Sequence, residues 1–429
     1  MLYGLPVVAV LVVLAWRLIV DGPARLAIDL FAPTLSQTAL ILIFLLGLWR
    51  LIAMADAFTI AGGRRAWRSP RPAALFAVLA MIVVLVHGVI GFYTWSFYDA
   101  GASIFVSSNP DNLEVPSATS SDITGELSAT PVATPKTASS RINVLLTGID
   151  SSEGRNHALN DTLIVVSVDP VTKAATMISF PRDIARFPLW DGRTFTGKIN
   201  SLMTHASLHP KEFPDGPINT LVKELGYLLG VPIHYYAAIN LDGFVQMVDL
   251  AGGVTIDNPQ LINDPSYGGW GPGHPLGFYL TPGKHHLDGQ NALAYVRSRK
   301  TAGDNDFNRA RRQQQVLLAL ERKMADPAMV ARVPSLLRAA KNTIRTSFPS
   351  ERLGEMLDLG SAIEDGSIVQ RVLGPPYAIH PPTSTTGGVY ILKLDLAKLA
   401  QLSITLFGSD SRYYKATAGG PLPSASPSP

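Results

Sequence analysis

The chain has 429 residues and no cysteine, which excludes a disulfide framework and any thiolate metal site. A net charge of +3 with only 16% charged residues carries no global signature of nucleic-acid binding. A mean hydropathy of +0.20 beside 32 prolines points to part membrane, part folded domain and part irregular spacer.

Three apolar runs come first: Leu2 to Val20, Ala39 to Ala55 and Ala73 to Tyr93. Each approaches the roughly 17–25 residues that span a hydrocarbon core as a helix. The first lacks the basic start and small-residue cleavage site of a signal peptide. Arg17 and Arg50 stand near run ends, where long cationic side chains reach the interface. Arg64, Arg65, Arg68 and Arg71 fill the loop between the second and third runs, so that loop is expected in the cytoplasm. The third run then exits outward, which makes a multi-pass cell-membrane protein with everything after Tyr93 extracytoplasmic. A buried core helix is the other reading of the first or second run. Residues 1–95 are thus expected as three transmembrane helices.

Residues 96–140 are expected as an extracytoplasmic tether, because 106–140 are rich in Ser, Thr, Pro and Ala and cannot bury a core. With coil-like dimensions of 5–6 Å × √n, about 35 residues reach roughly 30–35 Å. The tail 411–429 reads as disordered in the same way.

Residues 141–410 read as one folded domain, the catalytic one on the resemblance given below. "INVLLTGI", "TLIVVSVDP" and "AATMISFP" are short apolar runs bounded by turn residues, hence strands. "GPINTLVKELGYLLG" has helical spacing and a helix-ending glycine at Gly230. "HYYAAIN" reads as a strand, "LDGFVQMVDLAGG" as a short helix, and "NALAYVRSR" as helix or strand. "FNRARRQQQVLLALERKMA" is a long amphipathic helix. The stretch from Ser350 to Gly408 reads as helix, strand, strand, helix and completes the domain. Mixed strands and helices predict an α/β fold, a sheet covered by helices on both faces.

The chemistry concentrates in "AYVRSRKTAGDNDFNRARRQQQ", which holds Arg297, Arg299, Arg309, Arg311 and Arg312. On a strand, Arg297 and Arg299 share a face and converge on one anion. On the following helix, Arg309, Arg312 and Gln313 share a face; Arg311 is expected in solvent. Guanidinium groups bind phosphate oxygens bidentately and stay charged, so two converging pairs suit a pyrophosphate. A solvated basic face paired with Asp304 and Asp306 is the alternative. Asp150 and Asp161 flank adjacent strand ends, a hard-ligand pair suited to Mg²⁺; turn and capping aspartates are the other reading. "SFPRD" adds Arg182 and "GKIN" adds Lys198. Acids for a metal and bases for phosphate, all at strand ends, fit metal-assisted chemistry at a phosphate ester. His285 and His286 have no partner at metal-ligand spacing, and the common nucleotide, zinc-protease and serine-hydrolase motifs are absent.

In order, "NVLLTGID", "NDTLIVVSVDP", "ISFPRD", "KIN", "INLDGFVQMVDLAGGVTIDNP", "LDGQNALAYVRSRK" and "DFNRARRQQQ" resemble the LytR–CpsA–Psr family of bacterial cell-wall glycopolymer transferases. The resemblance implies an α/β/α sandwich with a central mixed sheet and a hydrophobic cleft for a lipid tail. It implies a Mg²⁺-dependent phosphotransferase, with Mn²⁺ as an alternative ion. A glycan on a polyprenyl pyrophosphate passes, as its sugar-phosphate, to a peptidoglycan hydroxyl, and polyprenyl phosphate is released. By motif, Asp150 and Asp161 hold the metal. Arg182, Lys198, Arg297, Arg299, Arg309 and Gln313 hold the pyrophosphate. Arg182 and Asp306 are the catalytic pair, Asp306 positioning or deprotonating the acceptor. The implied partners are the lipid-linked glycan, peptidoglycan, the membrane and glycan-synthesis proteins within it, with no nucleic acid. A polyprenyl-pyrophosphate-glycan phosphatase and a non-enzymatic polyprenyl-phosphate sensor or scaffold are the competing readings. One departure stands out: the family's R-x-D is Leu159-Asn160-Asp161 here, leaving Arg155 or Lys198 to supply the missing charge.

Overall fold

The computed structural model describes residues 5–105, 141–150, 159–268, 276–324, 329, 332–356 and 368–417; the expected tether 106–140 and residues 418–429 lie outside these. The chain divides into two compact units: Met1–Ser107 with Val330–Gly360, and Ser108–Met329 with Ser361–Pro429.

The first unit begins with α1 (Leu5–Val20), α2 (Gly22–Asp29), α3 (Pro33–Arg68) and α4 (Pro70–Ile104). Among the described residues two helices, not the expected three, are long and apolar enough to cross a membrane: Pro33–Gly63 and Pro70–Ile104. The described helix of the first run, Leu5–Val20, has 16 residues, about 24 Å at 1.5 Å per residue, less than a hydrocarbon core of roughly 30 Å. Gly22, at a φ of 76°, turns the chain there. Arg17 then folds back on Asp29 at 2.6 Å instead of marking a span end. Gly63, at a φ of 58°, breaks the long helix before the Arg-rich turn, and α3 and α4 form a hairpin. α4 outlasts the apolar run that ends at Tyr93. Its last turns bury Thr94, Ser96, Phe97, Ala100, Gly101 and Ile104, so 96–104 is helix rather than tether.

The second unit is a mixed sheet with helices on both faces. β1 (Ile142–Asp150), β2 (Leu159–Val168) and β3 (Ala175–Ser179) form an antiparallel meander. A hairpin, β4 (Ala185–Pro188) with β5 (Thr194–Lys198), follows, then α5 (Leu202–Leu208) and α6 (Pro217–Leu229), which Gly230 closes in the left-handed region. β6 (Tyr235–Asn240) lies parallel to β1. α7 (Leu241–Leu250) starts where the Asn240 side chain accepts from the Gly243 N–H at 2.7 Å. β7 (Val254–Asn258) pairs with β10 (Gly283–Leu287), and β8 (Ile262–Asp264) with β9 (Phe278–Leu280). α8 (Gly289–Arg297) and α9 (Asp306–Met324) follow.

The chain then returns to the first unit with α10 (Val333–Thr343), β11 (Ile344–Thr346) and the helical residues 353–356 (α11). α10 packs on α4, tied by Lys341 Nζ to Asp99 Oδ2 at 2.6 Å, so Val330–Gly360 departs from the continuous 141–410 domain expected. β12 (Ile368–Val372) re-enters the second unit parallel to β3, giving that unit the strand order β6-β1-β2-β3-β12. β13 (Ala378–Ile379), β14 (Lys393–Leu394), α12 (Leu396–Phe407) and α13 (Arg412–Thr417) end the described chain. The tail is therefore helical to Thr417, with Tyr413 buried and donating to Leu228 O at 3.0 Å.

Side-chain alternation assigns the two faces. Leu163, Val165 and Ile178 enter a core with Leu202, Leu221 and Leu225 of α5 and α6. Ser179, next to Ile178 and so on the other face, accepts from Gln314 of α9 at 2.8 Å. A second core joins Val248, Val254, Leu293, Tyr295 and Val316 from α7, β7, α8 and α9. α9 thus spans the sheet face and the second core, and its N-terminal turn reaches the β1–β2 end.

Candidate active site

The site begins where β1 and β2 leave their ladder. Asp150 is the last residue of β1 and Asp161 the third of β2, and Asp150 pairs with Leu159 across the hairpin. Both carboxylates meet one guanidinium: Arg297 Nη2 is 2.8 Å from Asp150 Oδ2 and 3.3 Å from Asp161 Oδ2. Arg182, just after β3, donates to Asp161 Oδ1. Gln313 of α9 donates to the Asp161 carbonyl at 3.3 Å. Four segments distant in sequence therefore meet at one end of the sheet. Tyr267, whose hydroxyl feels Arg297 and Asp150, is pushed up to about 12 by burial and stays neutral.

Beside this group lies a second. Arg309 Nη1 holds Asp306 Oδ1 at 2.8 Å, both nearly inaccessible. Lys198, at the end of β5, donates to Asp183 Oδ1. Asp183 and Asp306 hydrogen-bond each other, so the pair shares a proton. Burial raises Asp306 to about 6, against the pull of Arg309, and the neighbouring Asp183 adds to the rise. Burial also pushes Asp183 upward, but the Asp306 hydrogen bond, Lys198 and Arg182 together hold it below the usual carboxylate range. Two carboxyl groups in contact do not both ionise freely, and below about pH 6 the environment assigns the proton to Asp306.

Of the residues expected from sequence, Asp150, Asp161, Arg182, Lys198, Arg297, Asp306, Arg309 and Gln313 come together. Arg299 does not. The segment expected as a strand is α8, started by Asp288, whose carboxylate accepts from the Asn291 N–H at 2.8 Å. Arg297 is its last residue, so the shared strand face with Arg299 does not exist. Arg299 stands in the next loop, exposed, with its backbone N–H donated to Asp264 Oδ2 at 2.9 Å. Arg312 also turns away, binding Asp304 Oδ2 at 2.8 Å and the Ser298 carbonyl at 2.6 Å, and so fixes the loop that follows Arg297. Arg311 is exposed as expected. Lys198 answers Asp183 rather than standing free, and Arg155 lies outside the described residues.

Sequence reasoning missed Asp183 and Tyr267. Asp183 had a signal, as the acid beside Arg182 in "SFPRD"; Tyr267 had none.

Among the described residues no group of three or more His, Asp or Glu could hold a metal ion. The acids beside Arg297 are a pair, and a pair fits Mg²⁺, which takes one or two carboxylates plus substrate phosphates and water. That a cation, Arg297, already bridges both carboxylates shows that this spot favours positive charge.

A cavity of about 620 Å³ shares its wall with the site through Leu159, beside Asp150, and Gly197, beside Lys198. Leu189, Phe195, Leu208 and Phe213 make its apolar lining, and Arg193 and Glu212 belong to its polar part.

The model of the LytR_cpsA_psr family matches residues 112–406 of this chain. The polyisoprenyl-teichoic acid–peptidoglycan teichoic acid transferase TagU of Halalkalibacterium halodurans is 30% identical over 215 residues, 50% of this chain and 63% of its own length. The TagU of Bacillus mycoides is 28% identical over 283 residues, 66% of this chain and 81% of its own. The crystal structure of B. subtilis TagV aligns with 63% of this chain and 96% of its own, at 26% identity and a TM-score of 0.48.

Proposed function

The chain belongs to the LytR_cpsA_psr family, and on that premise we propose that it transfers a glycopolymer, as its sugar-phosphate, from a polyprenyl-pyrophosphate carrier to a peptidoglycan hydroxyl. The observation that carries this reading is the meeting of Arg182, Arg297, Arg309 and Gln313 with two separate acid pairs at one end of the sheet.

The acceptor oxygen attacks the sugar-bearing phosphorus. The bond from that phosphorus to the bridging oxygen breaks, polyprenyl phosphate departs, and the acceptor proton passes to the ionised Asp306 carboxylate. Arg297 and Arg182 exchange part of their carboxylate contacts for phosphate oxygens. Arg182 is equipped for this, because its buried Nε has no hydrogen-bond partner among the described residues. Fixed guanidinium groups in a half-buried site stabilise the charge that grows on the leaving phosphate, and a pyrophosphate already contains a good leaving group. Asp150 and Asp161 would hold Mg²⁺, with Mn²⁺ as the alternative, and the bound ion would neutralise phosphate charge. The 620 Å³ cavity receives the start of the prenyl chain through Leu159, Phe195 and Phe213. The two long apolar helices anchor the protein in the membrane with the catalytic unit outside, where lipid-linked glycan and peptidoglycan meet.

The test uses the full chain in proteoliposomes with polyprenyl-pyrophosphate-linked glycan and peptidoglycan. Arg297→Ala is expected to lower transfer about 10²–10³-fold with an unchanged melting profile. Full activity in a folded Arg297→Ala protein rules the assignment out. Release of phosphorylated glycan by wild type with no acceptor consumption would instead make water the acceptor.

A further inference from the structure

The transfer reaction needs a place for the acceptor, and none of the site arginines described above provides one. We propose that Tyr390, backed by His380, is a stacking platform for the acceptor's sugar ring, a role that rests on the transferase reading above.

The platform is held to the site by backbone. Leu392 N–H donates to the Asp183 carbonyl at 2.8 Å, and Ala185 N–H donates to the Leu392 carbonyl at 2.9 Å. The segment thus runs parallel to the chain at Ile184, directly after Arg182 and Asp183. Tyr390 is two residues along, so it stands beside the Asp183–Asp306 pair. His380 is fixed in turn, its Nδ1 lying 2.8 Å from the Ile391 carbonyl. Its ring stacks on Tyr390 with centroids 4.5 Å apart and planes 28° from parallel. Tyr390 is nevertheless 42% exposed, and the adjoining Val389 54%. A prepositioned ring with free surface beside a polar pair is an arrangement for a ligand with an apolar face and polar edges.

Charge selects which ligand. Tyr390 is raised by burial and by the field of Asp306 and Asp183, partly offset by Arg309, so its hydroxyl remains neutral. Arg309 is already committed to Asp306 and Lys198 to Asp183, so this side offers an anion little. The donor's pyrophosphate belongs with Arg297 and Arg182. An uncharged, hydroxyl-bearing ring fits Tyr390: the C–H face of a pyranose lies on the aromatic ring while its hydroxyl meets the carboxylate that takes the proton. Gly387 and Gly388, both at positive φ, let the chain turn sharply into this position.

The experiment measures transfer by the full chain in proteoliposomes, with short peptidoglycan glycan strands as the acceptor probe. Tyr390→Ala is expected to raise the apparent KM for the strands about tenfold, with kcat at saturating acceptor changing less than threefold and the donor KM unmoved. Tyr390→Phe keeps the ring and is expected to stay within threefold of wild type. Direct binding of the strands to the full chain, by calorimetry, should weaken in parallel in Tyr390→Ala. An unmoved acceptor KM in Tyr390→Ala, a shift in donor KM instead, or a Tyr390→Phe as impaired as Tyr390→Ala would each overturn the platform while leaving the transferase reading intact. A wild type that never consumes the donor ends both.

Discussion

The two halves of the site are built from the same residue types and are poised differently. Around Asp150 and Asp161, each carboxylate faces guanidinium: Arg297 touches both and Arg182 touches Asp161. Around Asp183 and Asp306, the carboxyl groups face each other as well as Lys198 and Arg309. The first half stores cations that an incoming phosphate can claim. The second stores a proton near the pH at which it is useful. On the transfer mechanism proposed above, contact between like groups, rather than composition, separates a binding half from a proton-handling half.

The most severe way to break that contrast is to remove Asp306, the proton acceptor of the proposed transfer. Asp306→Asn keeps the size of the side chain and is expected to lower kcat by roughly 10²–10⁴-fold, the range for loss of a general base, with donor-lipid affinity kept. Single-turnover transfer beside equilibrium lipid binding separates the two. If affinity collapses and the chemical step survives, Asp306 belongs to the binding half and the division is wrong.

A subtler change sharpens it. Asp306, raised to about 6, works as a base only when ionised, so transfer should climb as pH rises through about 6. Stability moves the other way: the folded state binds the extra proton between about 4 and 6, so folding weakens as pH rises across that window. Asp183 is one cause of the raised value, alongside burial and against the pull of Arg309 and Arg182. Asp183→Asn removes that charge, so the acidic limb of the rate profile should move down by roughly one unit. An upward move, or none, would mean that Asp183 does not govern the proton on Asp306.

Much of the first half was legible in sequence; of the second, Lys198, Asp306 and Arg309 were expected and their partner Asp183 was not. The apolar runs ending at Asp150 and opening at Asp161 mark strands by their turn residues, and α9 shows by its spacing. Arg297 was placed correctly at the end of an element, although the element is a helix, because a short apolar run does not distinguish strand from helix and the Asp288 cap decides. The Asp183–Asp306 contact could not be read, since it depends on how α9 docks across the sheet. Leu159, expected as the gap left by a missing arginine, instead lines the cavity. The span count differs at the first run, whose described helix, Leu5–Val20, has 16 residues and is not among the two of membrane-spanning length. Val330–Gly360 also defied sequence reading, because nothing local in an amphipathic helix names the partner it packs on.

The smallest expected effect tests the line between Arg297 and Arg299. Spacing made them equals; the structure does not. Arg297 is tied to both acids of the binding half, whereas Arg299 is exposed and tied to Asp264 by its backbone N–H, a bond that any residue but proline retains. Its loop is held by other groups: Ser298 Oγ and the Lys300 N–H also bind Asp264 Oδ2, and Arg312 holds the Ser298 carbonyl. Arg299→Ala should therefore fold normally, as surface substitutions away from such ties usually stay within about 0.5 kcal/mol. It should also change kcat/KM less than about threefold, an exposed charge being screened by solvent and salt. The comparison is a titration of transfer against donor concentration for Arg299→Ala beside Arg297→Ala. A loss as deep in the first as in the second would mean that the loop swings Arg299 onto the phosphates when the donor binds, and the binding half would then extend beyond the four segments that meet here.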